Sequence, residues 1–226
     1  MGEDPRARQD TTRHDQGRSH KVESVTQSRI RAILAVVALT AVMWILEIFD
    51  LLAGNALDVY GIRPRTIDDL GHIFTAPFLH YGFDHLVANT VPLLVLGSLV
   101  AFSGLGRFAA ASLIIVVVSG LGVWLISPPN SVTLGASGLI FGYFGFLVLR
   151  GIIERRTIDI VIMICVVIFY GTMVFGVFPQ QAGVSWQAHL FGFLGGLFAA
   201  YALPRRNRRT PVSGGYDYGP QGHQRF

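Results

Sequence analysis

A serine and a histidine stand in two separate apolar stretches of the chain, where polar side chains are costly and are therefore candidates for function. Ser137 is flanked by Gly135 and Gly138, and His189 precedes Gly192 by three residues. A serine hydroxyl is a weak nucleophile until a base removes its proton, and histidine titrates near neutral pH. The two residues therefore predict nucleophilic catalysis, with Ser137 as nucleophile and His189 as general base.

The glycines beside these residues allow two interpretations. Gly138 and Gly142 are four positions apart, as are Gly192 and Gly196, and this spacing lets two membrane helices pack closely. Gly192 and Gly196 share a helix face with His189. Close packing on that face would therefore bring His189 within hydrogen-bonding distance of the serine, provided the two helices are neighbours. Taken alone, each glycine motif indicates helix packing.

Three further polar residues, His80, His85 and Asn89, stand where another apolar stretch begins. His85 and Asn89 are four positions apart and share a helix face. An imidazole and an amide there could donate hydrogen bonds to a developing oxyanion, and removing one such donor typically costs about 10²–10³ in rate. The alternatives are interhelical hydrogen bonding by Asn89 and interfacial anchoring by His80.

The depth of these residues favours one shared site. Ser137, His189, His85 and Asn89 all fall within about two turns of the same predicted end of their helices, and independent packing residues need not agree in this way. The chain has no HExxH motif and no carboxylate that would support a metal. The sequence therefore predicts neither a metal site nor a cofactor.

The elements that must position these residues are predicted to be membrane helices. Of the 226 residues, 51% are hydrophobic and 14% are charged, against about 25% charged in a soluble domain; the mean hydropathy is +0.50. The single cysteine, Cys165, excludes an intrachain disulfide. The net charge of +4 comes from lysines and arginines beside apolar segments, which favours membrane orientation over nucleic-acid binding.

Six apolar segments can cross the hydrocarbon core as helices, which takes about 17–25 residues. They are residues 33–53, 86–102, 108–126, 132–149, 158–178 and 186–203. The predicted fold class is therefore an all-α membrane protein with a six-transmembrane-helix bundle. The predicted domains are a disordered basic tail at 1–32, the six-span domain at 33–203 and a second basic tail at 204–226.

The charge distribution predicts that both tails are cytoplasmic. Of the 18 lysines and arginines, this orientation leaves only Arg63 and Arg65 outside, in agreement with the positive-inside rule. Residues 54–85 then form an external loop, whose aromatic side chains predict that it lies partly in the membrane interface. Glu47 and Asp50 either bond to this loop or ease lipid exposure at the outer end of the first span.

Three motifs, in this order along residues 66–200, resemble those of the rhomboid intramembrane proteases. They are His80-x4-His85-x3-Asn89, Gly135-Ala-Ser137-Gly138 and His189-x2-Gly192-x3-Gly196. The resemblance implies a rhomboid-like six-helix bundle with a Ser–His dyad in a water-filled cavity that opens to the outside. It also implies an oxyanion hole formed by the Ser137 backbone N–H with the His85 and Asn89 side chains. Gly135 then belongs to the nucleophile motif, and His80 lies near the water cavity.

Two positions depart from the family pattern. Phe141 stands where many relatives have a tyrosine, so we expect a ring that stacks beneath His189 without donating a hydroxyl hydrogen bond. The Trp-Arg pair of many relatives' first loop is absent, and Arg63-Pro64-Arg65 occupies that region. We therefore expect the loop to be anchored differently.

The resemblance implies an intramembrane serine endopeptidase that cleaves transmembrane segments near the outer face through an acyl-enzyme. Its expected partners are single-span or polytopic membrane-protein substrates and the lipid bilayer, without nucleic acid, in a bacterial inner (plasma) membrane. Two alternative functions are a catalytically silent relative that binds membrane clients and a small transporter that uses the histidines as a proton relay. The first usually lacks the serine or the histidine, and the second tends to show repeated halves. The oligomeric state stays open, because glycine patterns also serve internal packing.

Overall fold

A computed structural model of the chain describes residues 5–179 and 183–203. These residues form six α-helices, which confirms the predicted all-α fold. The helices are α1 (Pro5–Leu52), α2 (Phe83–Ala101), α3 (Leu105–Ile126), α4 (Ser137–Glu154), α5 (Thr157–Tyr170) and α6 (Trp186–Ala202). Short 3-10 turns lie between α1 and α2, and a 3-10 segment at Gly171–Val177 continues α5.

Among the described residues, the helical segments that are long and apolar enough to cross a membrane are five: Thr26–Leu52, Phe83–Ala101, Leu105–Ile126, Ser137–Glu154 and Thr157–Val177. The sixth helix, α6, has 17 residues, at the short end of the range of about 17–25 that can span the hydrocarbon core. Large apolar side chains such as Ile45, Ile168 and Phe169 are more than half exposed. Such exposure is expected of helices that are solvated by lipid rather than by water.

Several predicted boundaries differ from the helix ends, and those at the starts of the first and fourth helices concern the predicted tail and the serine. The first helix begins at Pro5, within the segment 1–32 for which the sequence predicts a disordered tail, and residues 204–226 lie outside the described residues. The fourth helix begins at Ser137 rather than at residue 132. Gly135 has a φ of +122°, a conformation that L side chains rarely adopt, so it separates the preceding loop from the helix.

Helix α4 is the centre of the bundle and packs against α2, α3, α5 and α6. Tyr143 and Phe146 of α4 are completely buried. The hydroxyl of Tyr143 is 2.7 Å from that of Ser112 on α3, so its polar end is satisfied inside an apolar core. The surrounding helices therefore enclose α4, and polar groups at its N-terminal end are shielded from lipid.

The acidic residues of α1 fasten the segment between α1 and α2. The Asp50 carboxylate accepts a hydrogen bond from the Leu57 backbone N–H at 2.6 Å, and the Glu47 carboxyl lies near the backbone of Gly82. Both side chains are buried. For Asp50, the first of the two predicted alternatives, bonding to the loop, is therefore confirmed.

Arg65 ties the same loop to the end of α3. Its guanidinium donates to the carbonyl oxygens of Leu125 and Ser127, each at 3.0 Å, and its backbone N–H donates to the Trp124 carbonyl at 3.0 Å. The loop is thus held at the end of the bundle at which α4 begins. The Arg63-Pro64-Arg65 segment contributes one of the anchors there.

A buried ionic cluster lies at the opposite end of the bundle. Arg150 of α4 pairs with Asp159 of α5 and with Glu154, and Arg107 of α3 also pairs with Glu154. Arg150 is 4% exposed and Asp159 is 2% exposed, so their charges need each other as partners. The cluster fixes the first turn of α5 to α4.

Candidate active site

Ser137 is the first residue of α4 and follows a segment that is held at two points. The backbone N–H of Gly135 donates to the Ala76 carbonyl at 2.9 Å, and that of Ala136 donates to Nε2 of His80 at 3.4 Å. Because Ser137 begins the helix, its own N–H is one of the first four that lack an intrahelical partner. Such N–H groups carry the positive end of the helix dipole and favour a negative charge.

His189 lies in the first turn of α6, and two contacts fix its ring. The Phe141 ring of α4 stacks on the imidazole with centroids 4.0 Å apart and planes 5° from parallel, which confirms the expected stacking. Nδ1 of His189 is 2.9 Å from the carbonyl oxygen of Gly176. Since a carbonyl only accepts, Nδ1 carries the hydrogen and Nε2 keeps a free lone pair as an acceptor.

Glycines bring α4 and α6 into backbone contact beside these two residues. A Cβ at Gly192 would overlap the carbonyl oxygen of Gly138, and one at Gly196 would overlap that of Gly142. The two glycine motifs of the sequence therefore face each other, and the predicted condition that their helices are neighbours is met. The contact that packs α4 against α6 therefore also sets the separation of Ser137 and His189. Among the described residues no hydrogen bond joins these two side chains, so their pairing stays a prediction.

His85 lies directly over Gly135. A Cβ at Gly135 would come within 2.6 Å of Cε1 and 2.9 Å of Nε2 of the His85 ring, so this position must be glycine. Nδ1 of His85 accepts a hydrogen bond from the Tyr81 backbone N–H at 3.4 Å. Nε2 therefore carries the ring hydrogen and is a donor on the side of the serine loop.

Asn89 stands one turn beyond His85 on α2. Its amide nitrogen donates to the His85 carbonyl at 3.0 Å, which uses one of its two N–H groups and leaves the other available. The side chain is buried and lines the same cavity as Ser137. Its position therefore suits a donor aimed at a group bound beside the serine.

His80 is more deeply buried than His72, His85 and His189, with 1% of its surface exposed. Burial, together with the nearby His85 ring, lowers the pKa of His80 to about 4. It is therefore neutral at physiological pH and accepts the Ala136 N–H through Nε2. His80 thereby holds the backbone that precedes Ser137.

One cavity of about 1060 Å³ joins these groups. Ser137, His189, His85 and Asn89 all contribute to its wall. The described residues that line it include serine, threonine and glutamine side chains but none with a formal charge. The cavity is thus polar enough for water and suited to a neutral ligand.

Three residues of this site were not found by sequence reasoning. Gly176 supplies the carbonyl that orients His189, Tyr81 supplies the N–H that orients His85, and Gln187 lines the cavity. The first two act through backbone atoms, which leave no mark in side-chain type. Gln187 had a usable signal, because it is a polar residue two positions from His189 in an apolar stretch.

Comparison with known proteins identifies relatives of this chain. The Rhomboid domain family model matches residues 67–206. An uncharacterized protein of Mycobacterium tuberculosis is 42% identical over 205 residues, which cover 86% of this chain and 85% of that protein. The rhomboid protease GluP of Bacillus subtilis is 34% identical over 157 residues, 66% of this chain and 30% of GluP. RHOMBOID-like protein 5 of Arabidopsis thaliana is 31% identical over 137 residues, 56% of this chain and 41% of that protein.

The fold and the comparisons together define a multi-pass integral membrane serine protease, a hydrolase that acts on membrane proteins within the bilayer. The chain belongs to the rhomboid family. The family resemblance predicted from the three ordered motifs is therefore confirmed.

Proposed function

We propose that this chain is an intramembrane serine endopeptidase in which Ser137 is the nucleophile and His189 its general base. The observation that carries the proposal is the orientation of His189. Its Nδ1 is committed to the Gly176 carbonyl and its ring is stacked on Phe141, while Nε2 is left as the acceptor in the cavity that Ser137 also lines. A base held in one tautomer beside a serine is the arrangement that activates a hydroxyl.

In the first step, Nε2 of His189 takes the proton of Ser137 as Oγ attacks the peptide carbonyl carbon. The carbonyl oxygen becomes an oxyanion beside the Ser137 backbone N–H, Nε2–H of His85 and the free N–H of Asn89. Preorganised donors of this kind stabilise charge as it develops, at no cost of reorganisation. Gly135 and Gly138 allow the close approach of His85 and α6, and His80 holds the loop.

The intermediate then expels the amine. The C–N bond breaks, His189 returns its proton to the leaving nitrogen, and an ester to Ser137 remains. Water from the cavity next attacks the ester with His189 again as base, which releases the acid product and restores the hydroxyl. Every proton removed is returned, so the cycle needs no cofactor.

The substrate is a transmembrane segment of a single-span or polytopic membrane protein, which enters laterally. Helix α5 exposes large apolar side chains along its length, and the ionic cluster anchors only its first turn. Displacement of the end of α5 near Gly171–Val177 would open a path to the cavity. The segment must unwind locally, since a helical amide is shielded by its neighbours, so small and helix-weakening residues favour cleavage.

We further propose that the chain lies in the bacterial plasma membrane, with both termini cytoplasmic and the cavity at the outer face. The charge distribution supports this orientation, and the mycobacterial relatives support a bacterial source. The orientation can be tested with a C-terminal fusion to a reporter that is active only in the periplasm. A signal from this reporter would contradict the cytoplasmic C-terminus.

The test is cleavage of a single-span model substrate by the purified protein in detergent, beside the Ser137→Ala variant. Cleavage that disappears in the variant is the expected result. Cleavage that persists in the variant would refute Ser137 as the nucleophile. A protein that binds the substrate but never cleaves it would favour the client-binding alternative.

A further inference from the structure

Gln187 is a buried polar residue that the proposed chemistry does not use. It is the second residue of α6, two positions before His189, and 6% of its surface is exposed. Its side chain forms part of the wall of the cavity that Ser137 and His189 also line. A buried carboxamide is costly unless its hydrogen-bonding groups are used, so its presence there calls for a partner.

The hydrogen bonds around Ser185 orient this carboxamide. The Ser185 hydroxyl oxygen accepts from the Ala188 backbone N–H at 3.3 Å, and the hydroxyl donates to Oε1 of Gln187 at 3.5 Å. A hydroxyl has a single hydrogen to give, so Oε1 faces Ser185 and the NH2 group faces away from it.

The NH2 group is the part of Gln187 that is available to a ligand. In the described ranges 5–179 and 183–203 the NH2 group makes no hydrogen bond. Some side-chain atoms of the protein are fully buried and lack a partner, but the Gln187 nitrogen is not one of them. The nitrogen therefore reaches open space, and the open space beside Gln187 is the cavity.

The chemistry of the cavity indicates what this donor binds. The described wall carries no charged side chain, so a carboxylate or phosphate would find no cation there. A peptide that has been unwound out of its helix, by contrast, carries carbonyl groups that have lost their partners and need donors in a membrane setting. A neutral amide N–H matches a neutral carbonyl.

We infer that Gln187 is a substrate-binding residue, whose NH2 group donates to a main-chain carbonyl of the unwound substrate beside the scissile bond. The inference rests on the proposed function and deepens it. Because this hydrogen bond goes to the main chain of the substrate, Gln187 can bind uncharged extended segments irrespective of their side chains. Gln187 accordingly contributes to binding and takes no part in proton transfer.

The test compares two reactions of the full-length protein in detergent. One is cleavage of a single-span model substrate, and the other is labelling of Ser137 by a small fluorophosphonate, which has no peptide chain to bind. Gln187→Met keeps the size of the side chain but removes the donor, and Gln187→Glu keeps the shape but replaces the donor with an acceptor. For both variants we expect kcat/KM to fall about 5- to 10-fold, mainly through KM, with the labelling rate unchanged.

The matched control is Gln27→Met, at an exposed glutamine of α1, which should retain both wild-type rates. A wild-type KM in either Gln187 variant would overturn the inference. Equal losses in labelling and in cleavage would also overturn it, since they would assign Gln187 a structural role. Cleavage that persists in Ser137→Ala would instead refute the proposed function, so the two failures are distinguishable.

Discussion

Replacing Gly192 by alanine tests whether the contact between α4 and α6 sets the catalytic geometry. The added Cβ would overlap the carbonyl oxygen of Gly138, which is backbone and cannot turn aside. Non-bonded heavy atoms rest at roughly 3.5 Å, so the helices must separate by roughly 1 to 1.5 Å. Ser137 and His189 lie on either side of this contact, and a misplacement of that size costs about 10²-fold in rate.

The expected result for Gly192→Ala is therefore a kcat about 10²-fold below wild type in cleavage of a single-span substrate. Overpacking of this kind costs about 1–3 kcal/mol of stability, so the variant should remain folded with a lowered Tm. Fluorophosphonate labelling of Ser137 should slow in parallel, since activation of the hydroxyl by His189 is what is lost.

Gly106→Ala is the matched control for this prediction. Gly106 lies in the first turn of α3, and a Cβ there would meet nothing within 4 Å. Alanine is a better helix former than glycine by about 1 kcal/mol, so Gly106→Ala should keep wild-type turnover and lose no stability. Turnover of Gly192→Ala within about threefold of wild type would refute the geometric reasoning.

Substitutions at three further residues probe the groups around the serine. Asn89→Ala should lower kcat about 10²-fold with KM little changed, and unchanged turnover would remove Asn89 from the oxyanion hole. Phe141→Ala should lower kcat up to about tenfold, because a ring contact contributes about 0.5–1.5 kcal/mol; Phe141→Tyr, which keeps the stack, should not. His80, whose pKa is about 4 in the folded protein against 6.5, should contribute about 3 kcal/mol of stability above pH 6.5 that is lost as the pH falls towards 4. The thermal stability of His80→Gln should fall less than that of the wild type over that pH range. An identical pH dependence of the two proteins would show that His80 is not the titrating group.

The glycine motifs illustrate why the packing and chemical interpretations need not compete. Gly138 and Gly192 serve helix packing in the ordinary sense of membrane interfaces. The same contact leaves α4 and α6 close enough for Phe141 to stack on His189. A packing motif is therefore one of the conditions for the proposed dyad, and its substitution should affect stability and turnover together.

Much of the fold follows from local properties of the sequence. Apolar runs of sufficient length predict membrane helices because lipid satisfies no backbone group, and this was enough to predict an all-helical bundle. Residue type also predicted the candidate site, because polar side chains are costly in lipid. The polar residues concerned are the serine and the histidine in apolar surroundings, together with His85 and Asn89 at helical spacing. Their order identified the family.

Tertiary structure decided what depends on long-range backbone contacts. The start of α4 at Ser137 depends on Gly135 with its positive φ, and hydropathy alone placed the helix five residues too early. The tautomers of His189 and His85 depend on the Gly176 carbonyl and the Tyr81 N–H. Every residue type can supply a backbone carbonyl, and every type except proline can supply a backbone N–H. Side-chain patterns record which faces are apolar, but they do not record which backbone atom lies opposite a ring, and that information exists only once the helices have packed.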